Sequence, residues 1–140
     1  MASTPKYMAV QGAALLVGAA LVVLGVLGFI PGITSDYDQL AWAEPASGAA
    51  LFGAVAVSGV HNIVNIVIGG LGFLMARTYA AARAYLLLGG LVYLGLWVYE
   101  LSVVHINDWL HLSLAIVMAL LAVTLAGQHD PTKRRNRVRA

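Results

Sequence analysis

The residues best suited to chemistry are four polar side chains inside one long apolar segment: Ser58, His61, Asn62 and Asn65. His61 and Asn65 are four residues apart and Ser58 precedes His61 by three, so in a helix these three share one face. Imidazole and amide groups within lipid require partners. The spacing therefore predicts that this polar face points into a bundle of helices.

A second polar set lies further along the chain. Glu100 is near the end of another apolar segment, and His105 and Asp108 fall in the turn that follows. His111 comes three residues after Asp108, which places both on one face at the start of the next helix. Together these residues predict a vestibule of carboxylate and imidazole groups at one end of the bundle.

Four apolar segments must position these side chains. The chain has 140 residues, of which 61% are hydrophobic and 10% charged, whereas soluble domains carry about 25% charged residues. About 20 apolar residues cross a bilayer core about 30 Å thick. The pattern predicts an all-α integral membrane four-helix bundle in residues 1–127, followed by a basic tail in 128–140. The predicted helices cover residues 8–30, 48–76, 84–104 and 109–127.

The distribution of cations predicts the topology. All eight Lys and Arg residues lie in the N-terminus, the second connection or the C-terminal tail, and the first connection, 31–47, has three acids and no cation. Because short cationic loops remain in the cytoplasm, both termini are expected there, in a multi-pass protein of the inner (plasma) membrane. The first and third connections would then face outwards.

The basic tail predicts contact with lipid. The calculated isoelectric point of 9.2 could suggest a nucleic-acid partner, but the basic excess is concentrated at the C-terminus. A short cationic segment beside a membrane helix favours anionic headgroups, so membrane lipid is the predicted partner and nucleic acid is not. The residues expected to contact headgroups are Lys133, Arg134, Arg135, Arg137 and Arg139.

Several chemical hypotheses remain open for the candidate polar site, defined as His61, Asn62, Asn65, Glu100, Asp108 and His111. Imidazole and carboxylate groups suit zinc, iron or manganese, although the spacing matches no recognised metal motif. A helix that starts at residue 48 puts His61 about 20 Å deep, a mismatch with His111 that argues against a haem between them. A polar path would end below Asn65, where only apolar residues and glycines follow. The remaining hypothesis is hydrogen bonding that fixes the register of the bundle.

The order of short motifs resembles a known family. Pro31-Gly32-Ile33-Thr34, His61-Asn62-Ile63-Val64-Asn65 and Asn107-Asp108-Trp109-Leu110-His111-Leu112 are similar to an uncharacterised family of small four-helix membrane proteins that is common in actinobacteria. That family usually has His-Asn-x-x-His in its second helix, and Asn65 replaces the second histidine here. The resemblance implies the fold and the membrane location. It implies no established activity.

The predicted function is non-enzymatic. With no phosphate loop, nucleophile motif or zinc-protease motif visible, we expect no catalytic residues, no cofactor and no assigned metal site. The leading hypothesis is a structural or accessory component of a membrane assembly, as a homo-oligomer or within a larger complex. The alternative is a small transporter or a proton- or ion-coupled protein that uses the polar site, and a third option is a metal- or haem-binding protein. The glycines of the first helix would line either a dimer seam or a contact within the bundle.

Overall fold

The computed structural model describes residues 8–44, 47–105 and 108–125, and this part of the chain forms four α-helices. The prediction of an all-α fold of four helices is therefore confirmed. A π-helical segment, Glu100–Val104, continues the third helix without a break. The helices are α1 (Ala9–Leu27), α2 (Gly59–Met75), α3 (Tyr79–Tyr99) and α4 (Trp109–Thr124).

The predicted start of the second helix was wrong. Residue 48 does not begin a helix, because a small antiparallel sheet occupies the first part of that apolar run. Gly53 has a φ of +68° in the turn of the hairpin, a conformation that favours glycine, and Ser58 caps α2 by accepting a hydrogen bond from the His61 N–H. The strands, in sheet order, are β1 (Thr34–Ser35), β2 (Ala50–Leu51) and β3 (Val55–Ala56).

The other helix boundaries differ less from the prediction. The connection between α2 and α3 is short, since Met75 ends one helix and Tyr79 begins the next. Thr78 caps α3 by accepting from the Ala81 N–H, so the predicted start at residue 84 was too late. The predicted cap of α4 is confirmed at Asp108, whose carboxylate accepts from the Leu110 N–H. The predicted tail, 128–140, lies outside the described residues.

The helices pack as antiparallel neighbours, α1 on α2 and α3 on α4, and α1 also contacts α3. The seam between α1 and α2 is made of glycines: a Cβ added to Gly18 would lie 2.8 Å from the Gly69 carbonyl oxygen. Gly25 and Gly28 of the first helical region similarly touch α2, so these glycines form contacts within the bundle.

Two of the helical stretches are long and apolar enough to cross a membrane, namely Ala9–Leu27 and Tyr79–Val104. The helices α2 and α4 are also apolar, but each has fewer than 18 described residues. Four full spans were predicted from the sequence, and by length and composition the described part of the chain supplies two.

Candidate functional site

Most of the predicted polar residues meet at one end of the bundle, which we call the polar end. It is formed by the C-terminus of α1, the N-termini of α2 and α4, and the π-helical segment that follows α3. The caps of α2 and α4 lie here, at Ser58 and Asp108. The antiparallel order therefore brings residues from three separate parts of the sequence to one level of the fold.

A buried carboxylate joins two histidines at the polar end. Glu100 Oε1 lies 2.8 Å from His61 Nε2, and Glu100 Oε2 lies 2.8 Å from His111 Nδ1. The two imidazole rings are 4.9 Å apart between centroids. The Glu100 and His111 side chains are 2% and 3% exposed, whereas the His61 side chain is 14% exposed, so one edge of the site is open to its surroundings. We call these three residues the His–Glu–His cluster.

Two further side chains flank the cluster, one through hydrogen bonds and one through its charge. Ser58 Oγ lies 3.1 Å from His61 Nδ1 and also accepts the His61 backbone N–H. Asp108 Oδ2 lies 3.6 Å from His111 Nδ1, while Asp108 Oδ1 caps α4. In the arrangement with Glu100 ionised and both imidazoles neutral, each imidazole donates an N–H to Glu100, and the Ser58 hydroxyl donates to His61 Nδ1. A buried carboxylate requires such partners, and here both of its oxygens have one.

The predicted depth of His61 was wrong, and the reason is the start of α2. His61 is in the first turn of that helix, directly after the Ser58 cap, so it lies level with His111. The depth argument against haem therefore fails, but the geometry supplies a different one. Both histidines aim a ring nitrogen at the same Glu100 carboxylate, which leaves no opposed pair of nitrogens on either side of a macrocycle.

Asn65 lies one helical turn beyond His61 in α2 and forms a hydrogen bond with Tyr93, which was not among the predicted site residues. The Tyr93 hydroxyl donates to Asn65 Oδ1 at 2.7 Å, and the Tyr93 ring lies 5.5 Å from that of His111. Tyr93 is fully buried. Its spacing of seven residues from Glu100, on the same helical face, was the available signal. Asn65 stands where the family resemblance leads one to expect histidine, and the substitution removes no member of the His–Glu–His cluster.

Asn62 does not join the other polar residues. It is fully buried and faces α1, where its amide packs on Gly28. Neither its Nδ2 nor its Oδ1 has a hydrogen-bond partner among the described residues, and the same holds for the Tyr85 hydroxyl. The structure thus divides the predicted site into the His–Glu–His cluster with Asp108 at its edge, the Asn65–Tyr93 pair beneath it, and Asn62 on another face.

Two other predicted features do not enter the cluster. His105 is exposed at the end of the π-helical segment, with a φ of +60°. The five cations predicted to contact lipid headgroups, Lys133, Arg134, Arg135, Arg137 and Arg139, lie outside the described residues. The candidate site is therefore carried by side chains from α2, α3 with its π-helical continuation, and α4.

Comparison with protein-family models matches residues 11–124 to a family described as a domain of unknown function (DUF4383). The chain belongs to this family. The match spans all four helices, so the DUF4383 domain includes the entire candidate site, and the expected membership of an uncharacterised family is confirmed. No curated protein matches the chain, and no solved structure does. The function therefore has to be inferred from the site and the surface.

Proposed function

We propose that this DUF4383 protein is a four-pass protein of the inner membrane and a structural or accessory component of a membrane assembly. The observation that carries the membrane location is the inverted polarity of α2. The buried residues of this helix are Gly59, Asn62, Asn65, Gly69 and Gly72, and its exposed residues are Val60, Ile63, Val67, Leu71, Phe73 and Leu74. A helix of a water-soluble protein buries its large apolar side chains and exposes its polar ones.

The remaining surface supports the same location. The exposed residues of α1 are all apolar, and the exposed aromatic residues Trp42, Tyr99 and Trp109 flank the polar end. Aromatic rings are enriched at the level of lipid headgroups. The 17 residues of α2 reach the lower limit of about 17 to 25 residues for a membrane helix. These features favour a bundle with lipid around its helices and headgroups around the polar end.

The proposed orientation has the polar end outside and both termini in the cytoplasm. Arg77 lies in the connection at the opposite end of the bundle, and the other cations are in segments that the alternation of four spans puts on that side. The basic tail, 128–140, would contact anionic lipid there. The acids of the first connection belong to the polar end, which is consistent with this orientation.

Single-cysteine labelling tests the orientation, because the chain has no cysteine of its own. Ala54→Cys is in the exposed hairpin at the polar end, and Arg77→Cys is in the exposed connection at the other end. A membrane-impermeant maleimide should label Ala54→Cys in intact cells and Arg77→Cys only after permeabilisation. Labelling in the reverse order would contradict the orientation, and equal labelling of both in intact cells would contradict the spanning arrangement.

The accessory role is supported by how the polar side chains are used. Both oxygens of Glu100 and the Asn65 carbonyl are engaged with residues of other helices, an arrangement that fixes the relative register of α2, α3 and α4. Cross-linking in native membranes followed by mass spectrometry should recover a homo-oligomer or constant partners. A chain that remains monomeric and uncross-linked at native abundance would contradict this role.

A small transporter for an ion or a polar solute is the second candidate, and one observation favours it. Buried polar groups continue below Asn65 on helices other than α2: the Tyr85 hydroxyl lies against Gly72, and Gln11 Nε2 donates to the Ala76 carbonyl near the opposite end. The residues of α2 alone predict that a polar path ends below Asn65. The flux of protons or of a polar solute into liposomes should then be lower with His61→Leu than with the unsubstituted protein. Equal flux with the two proteins would remove this candidate.

A further inference from the structure

We propose that the His–Glu–His cluster binds a divalent transition-metal ion of the zinc type. His61, Glu100 and His111 each offer one donor atom, and these atoms lie within 4.8 Å of one another. A tetrahedral ion with bonds of about 2.0 to 2.1 Å holds its donors about 3.3 Å apart. Each imidazole nitrogen lies 2.8 Å from a different oxygen of Glu100. An ion bound through one of these oxygens requires that pair to widen by about half an ångström and the more distant donors, which lie within 4.8 Å, to move together.

The donor types select the class of ion. Two imidazole nitrogens and a carboxylate oxygen suit zinc, cobalt, nickel, copper, iron and manganese. Calcium and magnesium prefer sites built from oxygen atoms alone, with six or more ligands for calcium and an octahedral arrangement for magnesium. The cluster has neither the number of oxygens nor the geometry for those two ions, so discrimination between transition metals and Mg²⁺ or Ca²⁺ is an expected property of the site.

The surroundings of His61 fit a metal ligand. An imidazole that binds through Nε2 carries its proton on Nδ1 and donates it to a neighbouring acceptor, which fixes the ring orientation. Ser58 Oγ lies 3.1 Å from His61 Nδ1 and has two lone pairs, so it accepts this proton and the His61 backbone N–H together. The Ser58 hydroxyl therefore supports either arrangement of the His61 ring protons, the hydrogen-bonded one or the metal-bound one.

Asp108 lies at the edge of the three donors and supplies the balance of charge. Its Oδ2 is 3.6 Å from His111 Nδ1, and its Oδ1 remains bound to the N-terminus of α4. Two carboxylates from Glu100 and Asp108 neutralise a divalent cation bound by two neutral imidazoles. Asp108 and His61 are the most exposed members of the group, at 11% and 14%, so an ion would enter from the polar end along their side.

Local backbone structure also singles out this position. Glu100 begins the π-helical segment, and its N–H to C=O pattern departs there from that of α3. Single π-helical turns occur frequently at functional sites because they redirect side chains from an otherwise regular helix. The ligands come from α2, from the π-helical continuation of α3 and from α4, so a bound ion would cross-link these three helices at one point.

Metal binding to the unsubstituted protein is the direct test. Tag-free protein, purified in mild detergent and stripped with a chelator, is dialysed against Zn²⁺, Co²⁺, Mg²⁺ or Ca²⁺, and the bound metal is measured by elemental analysis. We expect one Zn²⁺ or Co²⁺ for each chain and none of the other two ions. A chain that binds no Zn²⁺ and no Co²⁺ would overturn the proposal, as would equal binding of Mg²⁺.

Substitutions locate the ion and include a matched histidine control. His61→Ala and His111→Ala should each lower the Zn²⁺ affinity by more than the roughly 10- to 100-fold typical of residues that only support ligands. His105→Asn removes an exposed histidine from the same end and suits the left-handed backbone there, so its affinity should be unchanged. The assignment would be contradicted if all three variants lost Zn²⁺ affinity equally. It would also be contradicted if none of them lost affinity.

A spectroscopic measurement keeps the proposal testable if those variants do not fold. X-ray absorption of Zn²⁺ bound to the unsubstituted chain should show two imidazole ligands and light-atom oxygen donors. An environment of oxygen alone, or of a single imidazole, would overturn the proposal. Metal binding in detergent does not depend on the orientation of the chain in a membrane. Failure here and reversed cysteine labelling are therefore independent results.

Discussion

The polar end and the seam between α1 and α2 hold the bundle together by opposite means. At the polar end, long side chains from α2, α4 and the π-helical segment meet through hydrogen bonds to one carboxylate. At the seam, glycines let the two helices approach: Gly18 of α1 lies so close to Gly69 and Gly72 of α2 that added Cβ atoms would meet backbone atoms. The polar end depends on hydrogen bonds between side chains, and the seam depends on glycines that let two backbones come close.

The difference indicates where the chain can accommodate a bound group. The His–Glu–His cluster can exchange hydrogen bonds for metal bonds by small movements of side chains, whereas the seam can change only by moving a helix backbone. Close packing of small residues is a principal source of stability between helices in lipid, where apolar side chains gain little by leaving it. The seam holds α2, which carries His61, close against α1.

The largest effect is expected from removal of the shared carboxylate. Glu100→Leu leaves the imidazole donors of His61 and His111 without their acceptor, at a cost of about 1 to 3 kcal/mol for each donor that stays buried. Glu100→Gln retains a carbonyl oxygen as an acceptor, so it should lose clearly less stability than Glu100→Leu. The free energy of unfolding, measured in detergent with a chelator present, separates the two. Equal stability of Glu100→Leu and the unsubstituted protein would show that the cluster does not join the helices.

A smaller effect on stability is expected at the seam. Substitutions of the neighbouring residues Gly69 and Gly70 should differ in the sign of that effect. A Cβ at Gly69 would lie 2.6 Å from the Gly18 carbonyl oxygen and 2.7 Å from the Val22 nitrogen, whereas a Cβ at Gly70 meets nothing within 4 Å. Gly69→Ala should therefore destabilise the protein by about 1 to 3 kcal/mol. Gly70→Ala, with the same gain in helix propensity, should be neutral or stabilising by up to about 1 kcal/mol.

Thermal unfolding of the two variants in the same detergent tests this pair. A lower melting temperature for Gly69→Ala than for Gly70→Ala is the expected result. If both variants shifted equally, helix propensity would account for the effect, and the close approach of α1 and α2 would not limit stability.

The sequence predicted the helices better than their ends. Apolar length and the absence of charge indicate four helices, but a continuous apolar run has no internal mark of where a hairpin gives way to a helix. The cues at this boundary were local. Gly53 occupies a turn with positive φ, and Ser58 precedes the first helical residue as an N-cap. Neither changes the hydrophobic pattern from which the helix was predicted.

The site residues could be selected from sequence, but their arrangement could not. His61, Glu100 and His111 stand out because ionisable groups are costly within apolar segments. Their distances depend on the level at which α2 begins, and the predicted start placed His61 too deep. Asn62 was grouped with them by adjacency, although the structure directs it towards α1. The spacing of Tyr93 from Glu100 puts the two on one face, but the sequence does not show that the Tyr93 hydroxyl bonds to Asn65.

The smallest effect distinguishes two tyrosines of α3. The Tyr93 hydroxyl donates to Asn65, whereas the Tyr85 hydroxyl has no partner among the described residues. Tyr93→Phe should destabilise the bundle by about 0.6 kcal/mol and by no more than about 1.7 kcal/mol, the average and the maximum measured for hydrogen bonds between helices in lipid. Tyr85→Phe removes a buried hydroxyl without breaking a hydrogen bond, so it should be neutral or stabilising. The free energy of unfolding of both variants, measured in one detergent, gives the comparison. A greater loss of stability for Tyr85→Phe would mean that the Tyr85 hydroxyl, rather than the Asn65–Tyr93 bond, continues the network below the His–Glu–His cluster.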